Sequence, residues 1–449
     1  MSFRMINLRG DLFATAFTFF AQGVIKFGST LILTRILRPE AYGIVTIVTS
    51  VIFIVGMISD VGMSVFIVRD PRGEDPRYLN TAWTIRLVRA LINAALTLAC
   101  AGLIARLYFA PALTLPLRVF SLWFIIDGFE STAFPLAIRR RNSRIVLYCE
   151  LLATLIATIF SVVYCYFSRD FWGIVYGTLL NRLLLVVMSH GFYRELRPRL
   201  QYDRTAARDI FKYTRFVMPS SILTLLLDQF DKAAFLRLFD LPLLGIYGLA
   251  GNIAAPIEGL INRVSQMVVY PRCAHNFRTD RSTYALRYYT ENLRLFAGTL
   301  ALPAAVGGAG PLIVTLLYDP RYHRAGAVLQ AFMVRATLSA LASPAEQVLV
   351  AAGEVRVMLI GNLLRAIWVP VACLMGYHLF GFMGFAYGTA LSALPALSYY
   401  LRMQWRKDFL IVRYEVYKLL YVCAVAALAY LASSVLLATV PISRIRLSH

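Results

Sequence analysis

Acidic residues are scarce in this chain of 449 residues: Asp and Glu number 24 against 45 Lys and Arg, and charged residues of either sign make up only 15%. Soluble domains carry about 25% charge, so a water-exposed globular surface is excluded for most of the sequence. Cysteine is sparse as well. Six residues (Cys100, Cys149, Cys165, Cys273, Cys373 and Cys423) are scattered with neither CxxC nor Cys/His spacing, the pattern of small apolar packing residues and not of disulfides or metal ligands. There is no Walker motif, no Rossmann glycine pattern and no extended polar segment for a soluble domain, so ATP-driven or enzymatic chemistry has no residues to run on, and neither catalytic groups nor cofactors are expected. A cleavable leader is not expected either, because the first apolar run is long and a second follows it directly.

What is present is hydrophobicity, at 59% of residues. It falls into about thirteen runs, most of them roughly 20–27 residues long, the length that crosses a 30 Å hydrocarbon core as a helix. They are read over 12–37, 43–68, 82–109, 114–138, 145–167, 172–192, 216–238, 242–270, 293–317, 325–350, 357–379, 381–402 and 416–440. Arginine gathers in every second connector: Arg69, Arg72 and Arg77; Arg139, Arg140, Arg141 and Arg144; Arg194 through Arg215; Arg272 through Arg287; Arg402 through Arg413. The positive-inside rule makes those connectors and the N-terminus cytoplasmic. Only the tail, with Arg444 and Arg446, breaks the alternation. The net charge of +21 therefore reflects membrane topology and anionic headgroups, and nucleic acid is not an expected partner.

The longest basic connector divides the chain into an N-lobe of six spans (1–192), an amphipathic linker (193–215), a C-lobe of six spans (216–403) and an extra helix with its tail (404–449). The linker, with Arg204, Arg208, Lys212 and Arg215 opposite Ile210, Phe211 and Phe216, is expected to lie on the bilayer. The lobes echo each other: Arg35 and Gly43 fall over Arg237 and Gly245 at one offset, which also lays Asn262 over Asp60. Parallel repeats of this kind recur in transporters, with the substrate pathway at the repeat interface. The fold class expected is an all-α polytopic membrane protein, two six-helix lobes around a central cavity.

Several residues carry a resemblance. The Arg35-x-Leu37-x-Pro39-x-x-x-Gly43 turn, Gln229-x-Asp231 followed by Gly245-Ile-Tyr247, Pro271 ending the eighth span, Pro303 within the ninth, and Leu317-Tyr-Asp-Pro-Arg-Tyr322 resemble the Wzx-type lipid-linked oligosaccharide flippases of the multidrug/oligosaccharidyl-lipid/polysaccharide superfamily. The resemblance covers essentially the whole chain. It implies a MATE-like core of twelve helices with optional extra ones, alternating access without ATP, a bacterial inner membrane, and an undecaprenyl-diphosphate-linked oligosaccharide as substrate. A monomer is expected, with a polysaccharide polymerase complex as a further partner. The same architecture also serves cation-coupled multidrug antiporters, so that alternative stays open.

Site residues follow from the cost of charge in hydrocarbon, at least about 2.5–3.5 kcal/mol at a helix centre, which directs such groups to partners or to substrate. Lys26, Arg182, Asn252, Arg263, Arg335 and Arg365 are the expected substrate ligands, the cations for diphosphate and the amide for sugar. Asp228, Asp231, Lys232, Asp127 and Glu130 are expected either to couple an ion or to form internal ion pairs, with Asp231 answering Lys232. Trp123 and Trp368 read as lipid-facing packing.

Overall fold

The computed structural model describes residues 8–59, 63, 67–68, 72–140, 142–191, 198–212, 229–232, 234, 238–354 and 356–439, and all regular structure among them is helical. In hydrocarbon a backbone must satisfy its own hydrogen bonds, and a helix does so within one segment. The chain forms two compact units, 1–225 and 226–449.

The first unit opens with α1 (Leu8–Ile36) and α2 (Pro39–Ile58). Pro39 at the start of α2 holds Arg38 extended (φ −82°, ψ 158°), because the residue before a proline is driven out of the helical region. Then follow α3 (Pro76–Leu107), α4 (Thr114–Gly128), α5 (Ala133–Arg139), α6 (Ser143–Ser168) and α7 (Trp172–Gly191). Asp75 caps α3 by accepting the Arg77 N–H at 2.9 Å. The fourth expected span, 114–138, breaks between α4 and α5: Gly128 lies so close to α3 that a Cβ there would meet Ala90 Cβ at 2.6 Å, and the Ser131 N–H leaves the helix ladder for the Ser189 hydroxyl at 3.0 Å. Small residues likewise let α6 and α7 touch, since a Cβ on Gly177 would fall 1.7 Å from Ser161 Oγ.

The helix over 204–212 departs from the expected surface-lying linker. Ala206, Ala207 and Ile210 are fully buried, with Ala206 and Ile210 in one cluster with Ile67, Tyr78, Leu79 and Ala82, while Asp209 accepts from Arg72 at 2.9 Å and from the Tyr78 hydroxyl at 3.1 Å. Packing against α3 removes more apolar surface from water than lipid contact at one face, which is why the short side chains point inward. Asp203 starts this helix, accepting from the Thr205 hydroxyl and from the Thr205 and Ala206 N–H groups, and these bonds, the hydroxyl's first, hold its carboxyl below the usual range.

In the second unit the described residues 229–232 are helical, and α8 (Leu241–Val264) continues through a π turn (Ser265–Val269) into α9 (Tyr270–Thr279). Pro271 therefore does not end the eighth span, as the sequence suggested; the π turn next to it supplies the wider register that a residue without N–H and with a bulky ring needs. The start of α8 repeats that of α2: Pro242 in the first turn, Asp240 extended (φ −77°, ψ 161°), and buried Leu244 and Gly245 where α2 buries Tyr42 and Gly43.

Next, α10 (Tyr284–Gly308) and α11 (Gly310–Leu317) meet at a 63° bend. They are followed by α12 (Ala325–Ala351), α13 (Arg356–Ala390), α14 (Leu394–Arg406) and α15 (Val412–Thr439). Phe380 and Gly381 are non-helical and fold α13 back on itself, Gly381 taking φ +59° and Gly376 seating against the Gly384 carbonyl. This is the boundary expected between the spans 357–379 and 381–402.

The last helix is held to α10 by polar contacts. Lys418 pairs with Glu415 at 2.7 Å and lies 4.4 Å from the centre of the Phe296 ring, and Ser433 donates to the Gly308 carbonyl at 3.2 Å. Nine helices among the described residues are long and apolar enough to cross a membrane, ten if the bent pair counts as one. The protein is a multi-pass α-helical membrane protein.

Candidate functional site

Each unit holds a group of charged side chains inside its spans. In the first, Arg86 on α3 and Arg182 on α7 both lie about three turns from their helix starts, roughly 15 Å along the axis. Between them stand Asp127, at the end of α4, and Glu130, in the break after it. Arg86 reaches Glu130 at 2.6 Å and Asp127 at 3.2 Å, and Arg182 binds the same two carboxylates. Two guanidinium groups thus face two carboxylates in a charge-balanced cluster whose side chains are only 9–16% exposed. Trp123 lies over it, with its ring 5.5 Å from the Arg182 guanidinium, so it packs on charge, where lipid-facing packing was expected. Arg89, one turn below Arg86, donates to the Ser59 carbonyl at 3.2 Å, and Asn93 donates to the Ser59 hydroxyl at 2.7 Å.

The second unit is arranged differently. Arg335 on α12 makes a two-pronged pair with Glu258 on α8, at 2.8 and 3.2 Å, and lies over the Phe332 ring at 4.5 Å. Asp231 is buried and has no ion pair among the described residues. It accepts the Tyr247 hydroxyl at 2.6 Å and the Lys232 N–H at 2.8 Å, while the Lys232 ammonium turns to Gln229 at 3.4 Å. The expected Asp231–Lys232 ion pair does not form, since consecutive helical residues point about 100° apart. Asp228 lies outside the described residues.

The other expected ligands are spread along their helices. Lys26 is exposed on α1 and its ammonium has no partner among the described residues. Asn252 and Arg263 are exposed on α8, Arg263 directly before the π turn. Arg365 on α13 is half-buried, an electrostatic neighbour of Glu346 and Tyr400, and its Nε has no hydrogen-bond acceptor among the described residues. Trp368 donates to the Leu391 carbonyl at 3.1 Å. Among the described residues no three His, Cys, Asp or Glu side chains gather as metal ligands.

Sequence reasoning passed over Arg86 and Arg89. Both carried the signal that singled out Arg182, a charge well inside an apolar run, here 82–109. It also gave Tyr247 no role beyond its motif, and a tyrosine inside a helix offers no polarity pattern that would distinguish a hydrogen-bond donor from packing.

Comparison with known proteins follows from this geometry. Residues 32–326 match the family described as Polysaccharide biosynthesis protein. Among curated proteins, Amylovoran biosynthesis protein AmsL of Erwinia amylovora is 23% identical over 253 residues, 56% of this chain and 65% of that one. Succinoglycan biosynthesis transport protein ExoT of Rhizobium meliloti (strain 1021) is 23% identical over 249 residues, 55% of this chain and 50% of that one. The chain thus spans half to just under two-thirds of the length of these relatives. Among solved structures, the lipid II flippase MurJ in an inward closed conformation superposes with a TM-score of 0.71 at 13% identity, over 95% of this chain and 98% of that one. An inward-facing multidrug resistance MATE family transporter of the MOP superfamily gives 0.64 at 14% identity, over 86% and 94%. The fold is the all-α, MATE-like one.

Proposed function

Because the chain belongs to the family of polysaccharide biosynthesis proteins, we propose that it is a flippase: it moves a polyprenyl-diphosphate-linked oligosaccharide repeat unit from the cytoplasmic to the outer leaflet of a bacterial inner membrane, by alternating access, for surface polysaccharide synthesis. The diphosphate and sugars are the parts that cannot cross hydrocarbon unaided, so the carrier must offer cations to the first and amides and hydroxyls to the second. The observation that carries this reading is Lys26, an ammonium within α1 with no partner among the described residues. An unpaired intramembrane cation is costly, and an anionic substrate is what offsets that cost.

Arg365, whose Nε also lacks an acceptor, and the exposed Arg263 and Asn252 extend the set. Arg335 joins it by exchanging Glu258 for phosphate. Arg182 is the weakest member, because Asp127 and Glu130 already neutralise it. A carrier for cationic drugs would instead present unpaired carboxylates; Asp127, Glu130 and Glu258 are ion-paired, and Asp231, which has no ion pair among the described residues, is held by the Tyr247 hydroxyl.

The test is Lys26→Ala and Arg365→Ala in a strain whose surface polysaccharide depends on this protein. Each is expected to lower surface polysaccharide at least about tenfold with membrane levels unchanged, the loss of one charge-assisted contact of roughly 1.5–3 kcal/mol. Normal export by both variants removes the diphosphate reading, and a cationic-dye efflux that survives them supports the antiporter.

A further inference from the structure

The polar end of α14 gathers basic residues with different partners. Lys407 pairs with Glu354 at 2.6 Å, and Arg413 lies over the Tyr414 ring at 5.5 Å. Arg402 and Arg406 are both exposed, and neither has a hydrogen bond, ion pair or ring contact with any described residue; the same holds for the Trp405 indole, which is 66% exposed. These three side chains, with Leu401 and Leu410, line an open pocket of about 530 Å³.

Its chemistry is two-sided. Leu401, Leu410 and the indole face give an apolar floor where the span leaves the hydrocarbon. The two guanidinium groups, one helical turn apart, rise from residues whose Cβ atoms lie about 5–6 Å apart, a spacing that brackets one phosphate. No acid lines the pocket. Of the nearby carboxylates, Glu354 holds Lys407 and Glu415 accepts from Lys418 and Tyr289, while Asp408, left-handed (φ 58°) just past the helix, is not among the residues that line the pocket. Tryptophan beside arginine at the end of a span is the composition of the headgroup level of a bilayer.

We infer that this pocket binds an anionic phospholipid, its phosphate between Arg402 and Arg406 and its glycerol and first methylenes on Leu401, Trp405 and Leu410. Such a lipid fixes the end of α14 in the leaflet that carries the negative surface potential and shields two cations that no described residue pairs with. The site stands apart from the proposed diphosphate ligands: neither arginine lies within an apolar run near mid-span.

The full chain in detergent micelles is examined by native mass spectrometry with dioleoyl phosphatidylglycerol or dioleoyl phosphatidylcholine at equal concentration. The wild type is expected to retain phosphatidylglycerol in clear preference. Arg402→Ala with Arg406→Ala is expected to weaken that binding about thirtyfold, two surface arginines at roughly fivefold each or slightly more. Arg402→Lys with Arg406→Lys keeps the charge and recovers most of it. The charge-matched Arg278→Ala with Arg281→Ala leaves it unchanged. Equal retention of both lipids, an unaffected double alanine variant, or an equal loss in the charge-matched control overturns the assignment. So does displacement of phosphatidylglycerol by undecaprenyl diphosphate at equal concentration, which gives the pocket to the transported lipid.

Discussion

The two units handle buried charge in opposite ways. In the first, Arg86, Arg182, Asp127 and Glu130 form a closed cluster in which each guanidinium touches both acids. In the second the pairs stand singly, Arg335 with Glu258 at 22–23% side-chain exposure and Lys418 with Glu415 at 9–14%, and Asp231 is held by the neutral Tyr247 hydroxyl. A closed, charge-neutral cluster ties α3, α4 and α7 together and offers nothing to an incoming ion without first losing an internal pair. An isolated pair and a carboxylate held by a hydroxyl can exchange partners singly. The first unit's cluster is thus locked, whereas Arg335 and Asp231 in the second are each held by a separate partner, and Lys26, which also belongs to the first unit, stands outside that unit's cluster.

The largest expected effect breaks the closed cluster. Glu130→Ala leaves two arginines sharing one carboxylate, and removing one partner from a buried ionic group costs about 3–5 kcal/mol. Thermal unfolding followed by fluorescence-detected size exclusion is expected to show a sharply lower midpoint, or loss of the protein from the membrane. Arg86→Leu combined with Glu130→Leu is expected to recover much of that loss, because Arg182 and Asp127 remain as a balanced pair and apolar side chains of similar volume replace the rest. A double variant as unstable as Glu130→Ala alone would mean that geometry, and not charge balance, holds these helices.

What the sequence revealed and what it hid divide along the same line. Spans were legible because bilayer thickness fixes their length and period, and the turns at Pro39 and Pro242 because proline dictates the backbone locally. The break at 129–132, the π turn at 265–269 and the bend between α10 and α11 were not, for each depends on a neighbouring helix or a proline's steric demand within a continuous apolar run. Candidate charges were legible one at a time, since a charge inside an apolar run is visible in sequence. Their partners were not: Glu258 reaches Arg335 across helices, and Asp231 turns from the adjacent Lys232 to Tyr247.

A smaller effect sharpens the role of Asp231. If this carboxylate is a hydrogen-bond acceptor that positions the described turn at 229–232 against α8, Tyr247→Phe removes its side-chain donor and costs about 1–3 kcal/mol. Asp231→Asn keeps an acceptor oxygen for Tyr247 and is expected to unfold close to wild type. In proteoliposomes with an imposed proton or sodium gradient, transport by Asp231→Asn is expected to keep its gradient dependence. Loss of that dependence in a stably folded variant would instead make Asp231 an ion-coupling group, and the second unit the seat of energisation.

The smallest effect lies outside the spans, where both units use the same device, an aspartate closing a turn at a helix start. Asp280 precedes α10 and accepts from the Ser282 N–H at 2.9 Å, the Ser282 hydroxyl at 2.6 Å and the Thr283 hydroxyl at 2.7 Å. The Ser282 and Thr283 hydroxyls, and then the backbone N–H groups, favour the ionised form and lower its carboxyl from an ordinary 3.8 to about 2. A carboxylate depressed on folding stabilises the native state above its unfolded value, so the contribution is complete at neutral pH. It fades as pH falls from about 4 toward 2. Asp280→Asn is expected to unfold slightly earlier than wild type at pH 7, with the difference shrinking through that window, and thermal unfolding at pH 7, 4 and 3 measures it. Because the group lies at the surface, solvent and salt screen it, and the difference should stay well below that of Glu130→Ala at every pH. A pH-independent difference would show that the amide fails to fit the turn sterically and that charge plays no part in closing it.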